Sequence, residues 1–395
     1  MEEKLIAQIN GDNIKYAVFH LNDKLDYEII SKKISFNSGI EKGKASNFDY
    51  TAKIINEDLQ EIEEEVKKVF KNISVILDQK DIFCTNLSGF KKLNGSKVEK
   101  RDLDYILNEA KNSIAKNQKK NSILHILNSN FILDKTKQKK IPLNIFGDHL
   151  SLHMTFVSIP DNNLKNIKAI FNQSNLTVDR VISKPFVDGI NFLNNKQNLK
   201  NFIAINIENE LSTISIYEDS TLVFFKTFPF GTNSIYRDIV QLCSLKNEEI
   251  ELIMNDLNFN NLHQNKIKYI DEKFFVKSDF KKLSVDHIHN IINARVKEII
   301  NYTFNENKNL EYLDKRIFNI YFFFENENIY KNLDSLFRNS LIVDMNKTLI
   351  ESQVQDAFGS LQGAAELLFK GWHREAIPFS NKKKSIITGF FERFF

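Results

Sequence analysis

The sequence predicts an α/β protein in which one fold occurs twice. Residues 4–36 predict a β-hairpin around an Asn-Gly turn, followed by a third strand. Residues 201–228 predict three more strands, with turns at 208–210 and 218–220. Helical patterns follow the strands in both halves. Two three-stranded sheets that each lead into helices therefore predict a duplicated fold.

The other elements follow from the spacing of apolar and turn residues. In residues 49–72, Ile55, Leu59 and Ile62 recur at helical spacing, which predicts a helix. The further predictions are strands at 74–77 and 81–86, a helix at 99–116, a basic loop overlapping its end at 111–120, strands at 123–133 and 150–158 around a basic loop at 135–140, a helix at 163–173, a strand with a Ser-Lys-Pro turn at 178–187, and helices at 188–193, 234–243, 286–304 and up to Gly371.

Composition argues against several classes of protein. The 395 residues are 42% hydrophobic, which is enough for two or more domains with their own cores. The net charge of +3 is small and does not indicate a nucleic-acid partner. Cys84 and Cys243 have no zinc-site spacing, nor do His125, His149 and His153, so no metal site is predicted. Without a signal-peptide pattern or an apolar 18-residue run, we expect a cytoplasmic protein.

Glycine is scarce, with 12 residues in the chain, whereas proteins average about 7%. Phosphate-binding loops need glycine because their backbone N–H groups must approach the ligand without an intervening Cβ. Residues 38–45 match a P-loop only loosely, since the spacing is one residue short and Ala45 replaces the Ser or Thr that binds magnesium. We expect a solvated turn there.

Three consecutive runs in the middle of the chain carry a family resemblance: GSKVEKRDLDYILNEAK, ILHILNSNFILD and IPLNIFGDHLSLHMTFV. They resemble the inserted subdomain of FtsA, the actin-like bacterial division protein that ties FtsZ filaments to the membrane. Four more stretches are similar to that family, in the same order over nearly the whole chain: NSGIEKGKA, KTFPFGTNSIYRDIV, IINARVKEII and DAFGSLQGAAELLFKG.

The resemblance implies an actin-like fold of the duplicated, ribonuclease H-like kind, with a small α+β inserted subdomain and a C-terminal amphipathic helix. The domains it implies are subdomain 1A at 1–82 with 165–196 and 347–371, the inserted subdomain 1C at 83–164, subdomain 2A at 197–241 with 313–346, subdomain 2B at 242–312, a linker at 372–383 and the amphipathic helix at 384–395.

Three motifs bind ATP in the family, and all three depart from its pattern here. Gln8-Ile9-Asn10-Gly11 stands for Asp-Ile-Gly-Thr, residues 206–213 replace a glycine triplet with Glu208-Asn209-Glu210, and 324–326 replace another with Phe-Glu-Asn. Each glutamate beside a triphosphate costs on the order of 4 kcal/mol at 4 Å and an effective dielectric of 20. The candidate nucleotide-binding residues are Asn10, Gly11, Asn206, Glu208, Asn209, Gly231, Thr232, Glu325 and Asn326.

Two interpretations of these loops remain open at this point. The resemblance implies ATP with magnesium, bound with or without hydrolysis. The altered residues favour a cleft closed by side chains, in a body that serves for self-association and partner docking. We therefore expect no catalytic residues.

A predicted helix at 286–304 carries the candidate partner site. Arg295 and Glu298 match the family's Arg-x-x-Glu pattern in the subdomain that receives the FtsZ C-terminal tail, and Lys297 lies between them. An acidic, partly apolar peptide suits a groove with Arg295 and Lys297 at its rim. The alternative is a surface arginine on an ordinary amphipathic helix.

The last twelve residues, 384–395, form an amphipathic pattern. At about 100° per residue the apolar side chains share an arc of about 180°, and spanning a bilayer takes about 20 apolar residues. The pattern predicts a helix lying in the membrane interface; the alternative is a terminal helix docked on its own domain. The candidate phospholipid-binding residues are Lys383, Lys384, Ile386, Ile387, Phe390, Phe391, Arg393, Phe394 and Phe395.

Together these features predict a division adaptor. It tethers FtsZ filaments to the cytoplasmic face of the inner membrane at the septum, self-associates, and recruits later division proteins. Two alternatives remain: an actin-like ATPase, and a pilus-assembly actin-like adaptor, which should lack this insert and this tail.

Overall fold

The computed structural model describes residues 3–22, 26–36, 38–196, 198–257, 259–260, 268–310, 318–344 and 347–376. Within these ranges, no helix is both long and apolar enough to cross a bilayer. The chain forms two compact units. Among the described residues, unit 1 comprises those within 3–201, 215–226 and 358–376, and unit 2 comprises those within 202–214 and 227–357.

The first half of the chain contains eleven strands and four helices among its described residues. In chain order they are β1 (Glu3–Ile9), β2 (Asn13–Leu21), β3 (Tyr27–Phe36), β4 (Ile40–Glu41), β5 (Lys44–Ala45), α1 (Phe48–Val66), β6 (Asn72–Leu77), β7 (Phe83–Lys92), α2 (Lys100–Asn117), β8 (Asn121–Leu133), β9 (Thr136–Gln138), β10 (His149–Pro160), α3 (Asp161–Gln173), β11 (Thr177–Ser183) and α4 (Lys184–Asn195).

The second half contributes five more strands and five more helices in the part of the chain that the structure describes. They are β12 (Phe202–Ile207), β13 (Ser212–Glu218), β14 (Thr221–Phe228), α5 (Asn233–Cys243), α6 (Asn247–Asp256), α7 (Val285–Ile300), β15 (Asn319–Phe324), α8 (Glu327–Asn339), β16 (Ile350–Val354) and α9 (Gly359–Lys370).

Two five-stranded sheets share one strand order. The first runs β11-β6-β1-β2-β3, and the second, in the matching direction, runs β16-β15-β12-β13-β14. β1 pairs antiparallel with β2 and parallel with β6, while β12 and β16 both pair parallel with β15. The predicted duplication is therefore confirmed, including the hairpins after the first strand of each half.

The insert is a separate four-stranded sheet in the order β7-β10-β8-β9, with α2 packed on β7. Its core includes Val98, Leu103, Ile106 and Phe156, all buried. A Cβ on Gly89 of β7 would come within 2.5 Å of the Ile106 side chain. This close approach of helix and strand leaves no room for a larger residue.

Several predicted boundaries were wrong, each for a local reason. α1 ends at Val66 rather than at 72, because Lys67 takes the left-handed conformation with φ 56°. α2 continues to Asn117 through the predicted loop at 111–120, and β9 occupies part of the basic loop at 135–140. α4 begins at Lys184, so the predicted Ser-Lys-Pro turn is its first turn, where proline is tolerated.

The return of the chain to the first unit also comes later than predicted. We placed 347–371 in subdomain 1A, but β16 pairs with β15 in the second sheet, with Phe322 opposite Ser352. Unit 2 consequently extends to residue 357, and α9 is the element that packs on α4 in unit 1.

Candidate functional site

The turn after β1 carries the first pair of candidate residues, Asn10 and Gly11. Asn10 is buried, and its backbone N–H donates to the Asn13 carbonyl at 2.9 Å. Its Oδ1 accepts a hydrogen bond from Gln8 Nε2 at 3.4 Å. The Gly11 carbonyl accepts one from the Gly43 N–H at 3.1 Å. The protein's own backbone and amides therefore hold this turn.

Gly43 belongs to residues 38–45, the stretch that loosely matches a P-loop. It packs tightly against the backbone of Asp78, just after β6. Its φ is +75°, and a Cβ there would overlap the Asp78 carbonyl oxygen. Gln79 Nε2 donates to the Gly43 carbonyl at 2.6 Å. Residues 40–45 form the two short strands β4 and β5. The expected solvated turn is thus a small hairpin pinned to the end of β6.

A buried ionic cluster lies in the same unit, and sequence reasoning missed it. Lys184 has a side chain only 2% exposed, with Nζ 2.9 Å from Asp188 Oδ2 and 3.8 Å from Asp78 Oδ2. Ser360 donates to the other oxygen of Asp188 at 2.5 Å. The i, i+4 spacing of Lys184 and Asp188 was visible in the sequence. Because the ammonium group of Lys184 already lies between these two carboxylates, a divalent cation there would have to displace it.

The turn after β12 contains Glu208, Asn209 and Glu210. The Glu208 N–H donates to the Leu211 carbonyl at 2.9 Å, which closes the turn. None of the residues 208–211 takes a positive φ. Asn206, just before the turn, is buried in β12 opposite Phe323. The turn is therefore not the open, glycine-like loop that would receive a phosphate.

The start of α5 is bound to this turn by its own backbone. The N–H groups of Thr232 and Asn233 donate to the carbonyls of Glu208 and Asn209, each at 2.9 Å. A Cβ on Gly231 would lie 2.6 Å from the Asn209 carbonyl oxygen. The first amides of a helix commonly bind anions, because they lack partners within the helix. Here two of these amides are already donors to carbonyl oxygens of the turn.

Glu325 and Asn326, from the third motif, have structural contacts. Glu325 Oε2 accepts a hydrogen bond from the Asn209 N–H at 3.2 Å, so a carboxylate occupies a donor of the turn. Asn326 Oδ1 accepts from the N–H groups of Asn328 and Ile329 at 2.9 and 3.2 Å, which makes it the N-cap of α8.

The residues of the turn at 208–211 do not fit the phosphates of a nucleoside triphosphate. A triphosphate needs unoccupied backbone donors and compensating positive charge. The amides of Glu208, Asn209, Thr232 and Asn233 all donate to protein oxygens, and three glutamates surround the turn. Among the described residues, no group of three or more His, Cys, Asp or Glu side chains is arranged to hold a metal ion.

The candidate partner site on α7 is dominated by an ion-pair network. Arg295 binds Asp238 of α5 through two hydrogen bonds, from Nε at 2.6 Å and Nη2 at 2.8 Å. Its Nη1 donates to Glu298 at 2.5 Å. The hydrogen bonds to Asp238 raise the pKa of Arg295 above its already high ordinary value. Lys297 is exposed. The Arg295 guanidinium is therefore already bound to the carboxylates of Asp238 and Glu298. Lys297 is the more accessible cation.

The comparisons with known proteins show similarity to one family of cell division proteins. Residues 80–158 match the family model described as the SHS2 domain inserted in FTSA. The cell division protein FtsA of Buchnera aphidicola subsp. Schizaphis graminum is 22% identical over 294 residues, which are 74% of this chain and 69% of that protein. FtsA of Agrobacterium fabrum is 24% identical over 228 residues, 57% of this chain and 50% of that protein.

The chain is similar to the FtsA family in its insert and over more than half of its length.

A solved structure agrees with the fold predicted for this chain. The PilM–PilN type IV pilus biogenesis complex contains a chain that superimposes with a TM-score of 0.58 at 9% identity, covering 94% of this chain and 97% of that one. At that identity the likeness shows the fold alone. The predicted actin-like fold with a small inserted domain is confirmed.

The predicted membrane-binding residues of the FtsA-type tail, from Lys383 to Phe395, lie outside the described residues. The start of the predicted linker is described and is not free. The N–H of Asn128 in β8 donates to the Arg374 carbonyl, and the Ala376 N–H donates to the Ile126 carbonyl, both at 2.7 Å. Residues 372–376 are thus held against the insert, contrary to a flexible linker starting at 372.

Unit 2 also contains a pocket of about 360 Å³ that sequence reasoning missed. Phe304, Asn305 and Ile342 are among its lining residues, beside the π-helical turn Asn301–Asn305 that continues α7. Arg295, Lys297 and Glu298 do not line it. The pocket is therefore separate from the ion-pair network on α7.

Proposed function

We propose that this chain is a structural adaptor of bacterial cell division, which links FtsZ filaments to the cytoplasmic face of the inner membrane at the septum. The observation that carries the proposal is the closed turn at 208–211, in which Glu325 accepts a hydrogen bond from the Asn209 N–H. The family supports a division role, and the closed turn favours a body without nucleotide chemistry.

Energetics favour the adaptor over an ATPase. Binding a phosphate at this turn would break the bonds that Asn209 and the first amides of α5 already make. It would also bring the phosphate close to Glu208, Glu210 and Glu325. At an effective dielectric of 20, each like-charge pair at 4 Å costs on the order of 4 kcal/mol. The positive helix terminus that usually offsets such a cost is already used.

Docking of an acidic FtsZ tail at α7 begins, in this proposal, at Lys297. Arg295 stays paired with Asp238 and Glu298, and it changes partners only after the peptide has arrived. We expect Lys297→Glu to weaken binding of an FtsZ C-terminal peptide at least tenfold by fluorescence anisotropy. Lys347→Glu in the same unit, where the side chain is 67% exposed, is the charge-matched control. Equal losses in both variants would assign the effect to net charge instead.

Membrane attachment in this proposal comes from the tail, with Ile386, Ile387, Phe390 and Phe391 facing the acyl chains and the lysines facing anionic headgroups. One short helix binds weakly, whereas a row of self-associated subunits binds firmly because later contacts are intramolecular. Recruitment of later division proteins would then occur on bodies that are already held at the membrane.

Vesicle co-sedimentation tests the proposal. Phe391→Glu places a charge on the apolar arc and should abolish binding of the full chain to vesicles of phosphatidylglycerol and phosphatidylethanolamine. Thr388→Glu places the same charge on the polar arc and should leave most of the binding in place. Binding of both variants at the level of the unchanged protein would remove the membrane role.

Calorimetry with ATP and magnesium separates the adaptor from the enzyme. The closed turn predicts no binding at micromolar concentration and no phosphate release. Micromolar affinity with phosphate release would favour the ATPase.

A further inference from the structure

Residues 372–376, which we call the strap, lie along β8 of the insert on the side opposite β10. Leu127 and Glu375 face each other in an antiparallel bridge, flanked by the two 2.7 Å hydrogen bonds that join 126–128 to 374–376. The Glu375 N–H also donates to the Trp372 carbonyl at 2.9 Å. The strap therefore forms a fifth, very short strand at the outer edge of β8.

The Glu375 side chain joins three segments of unit 1. It is 1% exposed, and its Oε1 lies 2.9 Å from His125 Nδ1 of β8 and forms an ion pair with Arg180 of β11. The Ser183 N–H donates to His125 Nε2 at 3.1 Å. With Nε2 as an acceptor, the imidazole is neutral and carries its proton on Nδ1, where it donates to the carboxylate. One carboxylate thus ties the strap to both the insert and the first sheet.

The contacts that close the strap are opposed by unsatisfied polar atoms beside it. Two backbone hydrogen bonds pair the strap with β8, and the Glu375 carboxylate contacts His125 and Arg180. Three buried polar atoms near Glu375 have no hydrogen-bond partner among the described residues: Arg180 Nε, Ser183 Oγ and Asn128 Oδ1. A buried polar atom without a partner destabilises the closed form, because it has lost water without gaining a replacement. Short segments of this kind open locally, without unfolding of the whole protein.

We propose that the strap is a releasable device that sets where the C-terminal segment leaves the body, with Glu375 as its latch. When the strap is closed, residue 376 lies at the edge of the insert. Opening releases the five residues of the strap, about 17 Å of chain when extended, and uncovers the edge of β8 at 126–128. This inference does not rest on the proposed division role.

Hydrogen exchange and fluorescence of the full chain test the strap. Trp372 is the single tryptophan of the sequence and lies within the strap, so acrylamide quenching reports its opening. In the unchanged protein, the amides of Asn128 and Ala376 should exchange at least tenfold faster than those of β1 and β6. Glu375→Gln removes the charge that pairs with Arg180. It should speed exchange at both amides at least tenfold more and increase quenching of Trp372, with β10 unchanged.

Two further variants complete the test. Glu57→Gln, at an exposed ion pair on α1, is the matched control and should change neither readout. If Glu375→Gln alone unfolds the protein, the double variant Arg180→Met with Glu375→Gln removes both charges and restores folding. It should still open the strap. The proposal fails if Asn128 and Ala376 exchange only with global unfolding, or if strap exchange is the same with and without the carboxylate in folded protein.

Discussion

The two five-stranded sheets share one strand order, yet the turn after the first strand of each sheet is closed differently. In unit 1, backbone contacts hold the turn, through the Gly43 N–H that donates to the Gly11 carbonyl. In unit 2, the carboxylate of Glu325 accepts a hydrogen bond from the Asn209 N–H, and the first amides of α5 donate to two carbonyls of the turn. Turns at the same place in the topology are therefore closed in two ways, by neutral backbone groups in unit 1 and with a charged carboxylate in unit 2.

The difference shows which features the two turns share and which are particular to each. A glycine remains where two backbones touch, at Gly43 in unit 1 and at Gly231 in unit 2. The neighbouring residues differ between the two turns: Gln8 contacts Asn10 in the first, and Glu325 contacts the Asn209 N–H in the second. Close approach of two backbones is therefore the feature that the two turns share.

Three glycine substitutions should produce the largest effects and separate packing from backbone strain. Gly43→Ala combines a positive φ with a clash against the Asp78 carbonyl, and we expect a loss of about 4 kcal/mol in the free energy of unfolding. Gly231→Ala introduces a clash with the carbonyl oxygens of the turn, but residue 231 does not have a positive φ. The free energy of unfolding should fall by about 2–3 kcal/mol. Denaturant titration measures both.

Gly95→Ala is the matched control, because its φ is +78° but the nearest atom to an added Cβ is 3.9 Å away. Gly95→Ala should lower the free energy of unfolding by the backbone strain alone, about 1–2 kcal/mol. If Gly231→Ala lost no more than Gly95→Ala, close packing of the second turn would not be the reason for its glycine.

The sequence was sufficient for features set by neighbouring residues. The Asn10-Gly11 pair predicted the first hairpin, and alternating patterns predicted β12, β13 and β14. Contacts between distant residues were not readable: Glu325 meets Asn209 across 116 positions, and Glu375 meets His125 across 250. The strap looked like a linker because its residues are mostly polar, and only β8 and β11 give Glu375 its partners.

Mild acid should weaken unit 1 before unit 2. Burial lowers the pKa of His125 below its usual value; Arg180 of β11 acts in the same direction, and Glu375 of the strap opposes them. His125 therefore becomes protonated near pH 6.5 in the unfolded chain, whereas in the folded chain it stays neutral at that pH. Stability falls with pH below that point, by up to about 1.4 kcal/mol per pH unit for such a group.

Glu249, a buried carboxylate of unit 2, stays ionised over the same pH range. Burial alone would raise the pKa of Glu249, but hydrogen bonds from the Lys246 N–H, the Ser278 hydroxyl and the 277–278 amides lower it to about 2. Its contribution is complete above about pH 4.5 and is lost only toward pH 2. Hydrogen exchange at pH 7 and pH 5, corrected for intrinsic rates, should show loss of protection in β8 and β11 but not in α6. Equal loss of protection in β8, β11 and α6 would contradict the expectation that acid weakens unit 1 first.

The smallest expected effect concerns the carboxylate that closes the second turn. Glu325→Ala leaves the Asn209 N–H without that acceptor and should cost about 1 kcal/mol, since a net hydrogen bond is worth about this much. Glu327→Ala, two residues later, removes only an exposed i, i+4 pair with Lys331 and should cost less than about 0.5 kcal/mol. Glu325→Gln keeps the acceptor and loses the charge, so it should fall between these values. A loss at Glu325→Gln as large as at Glu325→Ala would show that charge, rather than the hydrogen bond itself, closes the turn, and would make the contrast between the two units electrostatic.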